Sequence, residues 1–329
     1  MLEYFSMTST EAFMLALGSL GLGVIMLIRG GNWTIDASVY VARQIGVSPL
    51  VVGFTIVAFG TSLPELVVSI NANLSGVPEI AIGNVLGSNI ANILLVIGCT
   101  ALFATIVAVP RELVRDLVIM MSCTVFLTGL MLYGTITPLM GGAMLGALIV
   151  MTFWQYKKAL KGEINIEQVD DPEFVNIKSS AIFLLLGLVF IALGAEFLIR
   201  GAQVTASVIG VPEAVIGLSV IAIGTSLPEL STCIIAARKG QPGIILGNII
   251  GSNVFNILMI VGATAAVKTL STADMAPQLV NMDIWVVLGV SLLFTLILLL
   301  YKKINRALGI AFLTAYIAYI VLIFAIYMH

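Results

Sequence analysis

The chain has 329 residues, 60% hydrophobic and only 10% charged, with a net charge of −2 and a mean hydropathy of +1.14. No soluble domain hides that much apolar surface, so the composition excludes a water-soluble globular protein and indicates a polytopic membrane protein. The one histidine, His329, is the last residue, which excludes a metal centre built on imidazole.

A spanning helix needs about 20 apolar residues. The chain offers ten such segments, at 12–43, 48–73, 80–105, 114–133, 138–158, 179–208, 213–236, 244–267, 282–301 and 307–327. Ahead of them, Met1 to Glu11 lacks the basic stretch of a signal peptide, so no cleaved leader is expected. The first and sixth segments exceed a span and carry Arg29, Asp36, Glu196 and Arg200, which predicts strong tilt or partial exposure, with these charges facing neighbouring helices, water or headgroups. Cys99, Cys123 and Cys233 lie in apolar helices without CxxC spacing and read as buried free thiols. Trp33, Trp154 and Trp285 read as interface anchors or packing residues. Between the fifth and sixth segments, residues 160–178 hold Glu163, Glu167, Asp170, Asp171 and Glu173, too polar to insert and too short for a folded domain.

Basic residues set the orientation. With the N-terminus outside, cytoplasmic connections hold Arg43, Arg111, Arg115, Lys157, Lys158, Lys161, Lys178, Arg238, Lys239, Lys302, Lys303 and Arg306, whereas external connections hold only Lys268. Both termini are therefore expected outside the cytoplasmic membrane. Glu79 and Glu213 fall near external helix ends and read as solvated.

The second and seventh segments share the hexapeptide Gly-Thr-Ser-Leu-Pro-Glu, at Gly60 to Glu65 and again 164 residues later at Gly224 to Glu229. The same offset aligns Gly46–Ala101 with the second half of the chain without a gap, and about half the positions are identical. Five helices separate equivalent points, an odd number, so the copies should cross the membrane in opposite senses. The expected architecture is an all-α membrane protein of ten transmembrane helices in two inverted five-helix repeats, residues 1–159 and 179–329, joined by a cytoplasmic linker at 160–178, with a site where the halves meet.

A glutamate at the centre of a spanning helix costs about 2.5 kcal/mol or more by insertion scales, so two repeated ones demand a partner or a function. Pro64 cannot donate to the Gly60 carbonyl and crowds it, so carbonyls in the preceding turn are freed. Loose carbonyls inside a membrane persist where they are buried in protein or line a polar cavity. Thr61 and Ser62 share a face with Glu65 if helicity continues, a set of oxygen donors around a carboxylate suited to a hard cation such as Na⁺ or Ca²⁺. Thr225, Ser226, Pro228 and Glu229 repeat the set. In the following helices, Asn84, Ser88 and Asn92, and their counterparts Asn248, Ser252 and Asn256, form polar stripes at i, i+4 and i+8, while Gly83, Gly87, Gly247 and Gly251 permit close helix approach. Asn89 and Asn253 leave the stripe and read as structural.

Two GTSLPE copies, each followed by GNxxGSNxxN at matched distance, resemble the alpha-repeats of the sodium/calcium exchanger family, within the cation/calcium antiporter superfamily, across essentially the whole chain. The resemblance implies that Glu65 and Glu229 are central carboxylates shared by Ca²⁺ and Na⁺. It implies that Thr61, Ser62, Thr225 and Ser226 complete the ion sites. Ser88, Ser252 and the backbone carbonyls of Ala58 and Ala222 would serve outer Na⁺ sites, and Asn92 and Asn256 would line the middle. It further implies that the first and sixth helices slide across the bundle to expose the site alternately. The chain departs from the family at Asn256, where such exchangers often carry Asp; a neutral amide has the shape of a protonated Asp but removes a possible protonation switch.

The expected function is electrogenic Na⁺/Ca²⁺ antiport: one divalent ion neutralises two carboxylates, and three sodium ions leave one net positive charge. Ca²⁺ export is the expected direction, and Ca²⁺ and Na⁺ are the transported ions, with no organic cofactor. Proton-coupled exchange of Ca²⁺ or another divalent cation on the same fold is the alternative, and a cation channel is a further one. The chain is expected not to be an enzyme, since it has no HExxH and no Ser/His or paired-Asp arrangement. It is expected to act as a monomer in the lipid bilayer and to bind no nucleic acid.

Overall fold

A computed structural model of the chain describes residues 9–108, 111–159, 176–208 and 224–327. Apart from four two-residue strands the described chain is mainly helical, and its helices begin and end on the breakers visible in the sequence. α1 (Ser9–Ile45) stops at Gly46, whose φ of +72° a side chain rarely tolerates. α2 (Pro49–Thr61) opens on a proline, where a missing N–H costs nothing, and α3 (Leu63–Leu74) follows across Ser62. Then come α4 (Pro78–Phe103), β1 (Ile106–Val107), α5 (Arg111–Tyr133), β2 (Thr135–Ile136) and α6 (Pro138–Ala159). The second half provides α7 (Ile177–Val208), α8 (Leu227–Arg238), α9 (Pro242–Val267), β3 (Leu270–Ser271), α10 (Leu279–Leu300), β4 (Lys303–Ile304) and α11 (Arg306–Tyr327).

Among the described residues, eight helices are long and apolar enough to cross a membrane, and the bent pair α2–α3 makes a ninth. The first half of the expected seventh segment, and most of the 160–178 linker, lie outside the described residues. The apolar stretch of α9 is wholly buried and that of α4 is 78% buried, against 28% for α1 and α7, 22% for α6 and 17% for α11. α4 and α9 therefore form the centre, and the outer helices present residues such as Leu139 and Ile149 to the surroundings, as a bilayer requires.

Contacts between the halves come in reciprocal pairs. α1 and α7 pack antiparallel through glycine: a Cβ on Gly30 would lie 2.7 Å from the Gly187 carbonyl oxygen, and one on Gly194 would lie 2.9 Å from that of Gly23. β1 pairs antiparallel with β4, and β2 with β3. Where the copies differ in length the helix absorbs the difference. Leu113-Val114 and buried Asp116 match Leu279-Val280 and buried Asp283 with one residue more, and Leu279–Asp283 forms a π turn, the form an inserted residue takes in a helix. Both aspartates are held by neighbours, Asp116 by Arg115 and Gln155, Asp283 by Gln278 and Tyr319. Among the charges of the long helices, Asp36 pairs with Lys239 beyond α8, and Arg200 with Glu196 on the surface of α7.

Lipid chains are as apolar as leucine, so helix association here rests on van der Waals fit and polar contacts. Gly187→Leu is accordingly expected to lower stability by about 1–3 kcal/mol or more through overpacking against α1. Gly142→Leu, where a Cβ meets nothing within 4 Å, should be neutral. Thermal unfolding in detergent checks both; equal midpoints would contradict the glycine interlock.

Candidate cation site

Both hexapeptides fold alike. Ser62 takes φ −87° and ψ 2°, and Ser226 takes φ −88° and ψ 2°, non-helical values that interrupt the backbone at the same point in each copy. Pro64 and Pro228 stand in the first turn of the helix that follows, α3 and α8. Without an N–H, Pro64 cannot continue the ladder to Gly60, and the axes of α2 and α3 diverge by 43°. The ladder resumes where Leu66 N–H donates to the Ser62 carbonyl at 3.2 Å and Leu230 N–H to that of Ser226 at 3.0 Å. Helicity therefore does not run unbroken from Thr61 to Glu65: Thr61 ends α2 and Glu65 opens α3, brought together by the break rather than by an unbroken helical face. Glu65 and Glu229 occupy first turns, where the positive end of the helix dipole favours a carboxylate.

The expected side chains are buried. Thr61, Ser62, Glu65, Ser88, Asn92, Thr225, Ser226, Glu229, Ser252 and Asn256 are all at most 6% exposed. Several converge on Glu229: Ser252 Oγ lies 3.5 Å from its Oε1, and Glu65 lies within reach of its charge. Thr61 Oγ1 is in turn 3.4 Å from Ser252 Oγ and 3.3 Å from Asn248 Oδ1. The backbone carbonyl of Ala58 accepts from Ser62 N–H at 3.1 Å and from the Thr61 hydroxyl at 3.4 Å. Ala222 lies outside the described residues. The arrangement is unequal in one respect: Thr61 reaches the second-half helix α9, whereas among the described residues no hydrogen bond joins Thr225 to Ser88 on α4.

The chemistry is carried by atoms left over. Ser62 Oγ, Glu65 Oε2 and Asn92 Oδ1, and their counterparts Ser226 Oγ, Glu229 Oε2 and Asn256 Oδ1, are buried without hydrogen-bond partners. An unsatisfied buried polar atom costs about 1–3 kcal/mol, more when charged. Three such pairs, one from each copy, are a donor set of two carboxylates with neutral hydroxyl and amide oxygens. All six atoms are oxygens, so the set is hard-oxygen rather than soft-metal in character.

Sequence reasoning missed the partners behind these groups. Asn84 donates to the Glu65 carbonyl and to Ser69 Oγ, at 3.3 and 3.0 Å, and Asn248 stands 3.5 Å from Cys233 Sγ, the residue equivalent to Ser69. Asn92 Nδ2 donates to Asn253 Oδ1 at 3.0 Å, and Asn256 Nδ2 to Asn89 Oδ1 at 2.9 Å. The 164-residue offset makes the two links repeat-related, with partners exchanged between the copies.

Known proteins resemble the chain over most of its length. The model of the family described as sodium/calcium exchanger protein matches residues 15–157 and 179–325. The chain is similar to the sodium/calcium exchanger MaX1 of Methanosarcina acetivorans, 31% identical over 93% of this chain and 97% of that one. It is 35% identical to the membrane protein MJ0091 of Methanocaldococcus jannaschii, over 92% of this chain and 96% of that one. The solved structure of a sodium/calcium exchanger from Methanococcus jannaschii superposes with a TM-score of 0.81 at 32% identity, covering 94% of this chain and 98% of that one.

Proposed function

The chain belongs to the sodium/calcium exchanger family, and from that premise we propose that it exchanges Na⁺ for Ca²⁺ as a secondary active antiporter. The observation that carries the reading is the set of three repeat-related pairs of buried, unpartnered oxygens around Glu65 and Glu229. These two carboxylates hold Ca²⁺ and Na⁺ in turn. Thr61, Ser62, Thr225 and Ser226 complete the shell, Asn92 and Asn256 line its middle, and Ser88 and Ser252, with the carbonyls of Ala58 and Ala222, serve outer Na⁺ positions. Coupling follows from mutually exclusive occupancy together with a barrier to moving while empty.

The architecture is ten helices in two inverted repeats, 1–159 and 179–329, joined by the 160–178 linker. Antiparallel packing of the equivalent helices α1 and α7 supports that inversion. These two helices slide against the bundle, exposing the site to each side alternately, in a monomer of the cytoplasmic membrane with both termini outside. Three Na⁺ exchanged for one Ca²⁺ moves one net charge, worth about 2.3 kcal/mol per 100 mV, and drives Ca²⁺ export.

Vesicles containing the reconstituted protein and loaded with Na⁺ test this reading. Ca²⁺ uptake is expected to follow the outward Na⁺ gradient and to quicken when the interior is made positive, because net positive charge leaves. Uptake driven by a pH gradient without Na⁺ would support proton coupling instead. Asn256→Asp is expected to retain exchange and to make it more pH-dependent; an inert variant in the same vesicles would contradict the role given to that position.

A further inference from the structure

We propose that Asn89 and Asn253 are positioning residues that turn the carbonyl oxygens of Asn256 and Asn92 towards the transported cation, each acting from the opposite repeat. The inference rests on the exchange site proposed above and adds a second layer to it. A terminal amide can present either a carbonyl oxygen or two N–H donors, and only the oxygen attracts a cation. Nothing intrinsic to Asn92 or Asn256 decides between the two orientations.

The observed links give the orientation. In both links the NH₂ group comes from the residue on the polar stripe, Asn92 or Asn256, and the oxygen from the residue off it, Asn253 or Asn89. With its NH₂ engaged, each stripe asparagine is left with an unpartnered, buried Oδ1. Asn253 is itself oriented, because its Nδ2 lies 3.7 Å from Met120 Sδ on α5, which leaves its oxygen for Asn92. Asn89 Nδ2 is buried without a partner, so the second link rests on the Asn256–Asn89 bond itself. All four asparagines are 1% exposed, so water does not compete for these groups. The π turns that begin at Asn92 and Asn256 widen the helix at the same point in both copies.

Interhelical adhesion alone would also use asparagine pairs. It would not account for the same donor direction in both links, nor for the buried oxygens that this direction strands. Because α4 and α9 belong to different repeats, each half of the chain orients a ligand of the other, and neither half would complete the shell alone.

A double-mutant cycle on the purified full-length protein tests the assignment, read as the dissociation constant for radioactive Ca²⁺ at equilibrium. Asn89→Leu keeps volume but removes the acceptor, and is expected to weaken Ca²⁺ binding about tenfold, the lower range for loss of a group that orients a metal ligand. In an Asn256→Ala background the same change is expected to have an effect below about twofold, since the group it orients is gone. Asn89→Asp, which restores an acceptor, should recover affinity relative to Asn89→Leu. Asn253→Leu with Asn92→Ala forms an independent cycle with the same expectation, and decides the matter if Asn89→Leu does not fold. Equal effects of the leucine substitution in both backgrounds, with the wild type binding Ca²⁺, would overturn this inference alone. A wild type that binds no Ca²⁺ would overturn the exchange reading and this inference with it.

Discussion

Glu65→Gln and Glu229→Gln are each expected to abolish Ca²⁺ exchange in a protein that still inserts and folds. Glutamine preserves the length and shape of the side chain and removes one negative charge. Two carboxylates neutralise one divalent ion, so either substitution leaves a net positive charge in a pocket whose side chains are at most 6% exposed. Two unit charges about 4 Å apart interact by on the order of 4 kcal/mol at an effective dielectric constant of 20, and a divalent ion by twice that, so a loss of at least roughly a thousandfold in affinity is expected. Stability should be unharmed, because replacing a buried unpaired charge by a neutral group removes a desolvation cost. The two expectations together separate a ligand from a structural residue. They are checked by Ca²⁺ flux in vesicles alongside thermal unfolding of the same preparations. Exchange within tenfold of wild type in either variant would remove that carboxylate from the site.

Pro64→Ala is expected to weaken Na⁺ binding by about tenfold or more with little change in melting temperature, and Pro228→Ala to act likewise. The alanine restores an N–H that can donate to the Gly60 carbonyl, so α2 can run on into α3 and the 43° bend can close. The turn that carries the Ala58 carbonyl, proposed above for an outer Na⁺ position, then shifts, and an interaction with a charged group contributes about 1.5–3 kcal/mol. Straightening also moves Thr61, whose hydroxyl now meets Asn248 and Ser252 across the repeat boundary. The half-saturating Na⁺ concentration of exchange measures the effect. An unchanged value would mean that the break serves packing rather than ion binding.

Much of this could be read from the residues. The paired hexapeptides singled out Thr61, Ser62 and Glu65 with their counterparts, and the prolines predicted where α2 breaks from α3. Glycine and proline likewise fixed most helix ends, as at Gly46, Pro78 and Pro242. Contacts that depend on the register between distant helices were less accessible. Asn89 and Asn253 leave the i, i+4 stripe, as a regular helical wheel indicates, but a wheel does not show that the face they occupy looks onto the other repeat. Their links to Asn256 and Asn92 require the antiparallel register of α4 and α9, which local spacing does not encode. The Asp36–Lys239 ion pair spans more than 200 residues and is absent from the repeat pattern, since Arg200 and Ser75 occupy the equivalent positions. At 41% and 30% side-chain exposure it contributes at most about 1 kcal/mol. The π turn at Leu279–Asp283 shows the converse, a one-residue length difference that becomes intelligible only once the helix is seen to absorb it.

The central claim is that the two ions occupy one pocket in turn. Equilibrium binding of radioactive Ca²⁺ to the purified protein, titrated with Na⁺ at constant ionic strength, tests it most directly. Na⁺ should displace all specifically bound Ca²⁺, with a steepness showing that more than one Na⁺ takes its place. Ca²⁺ that stays bound at saturating Na⁺ would contradict a shared site.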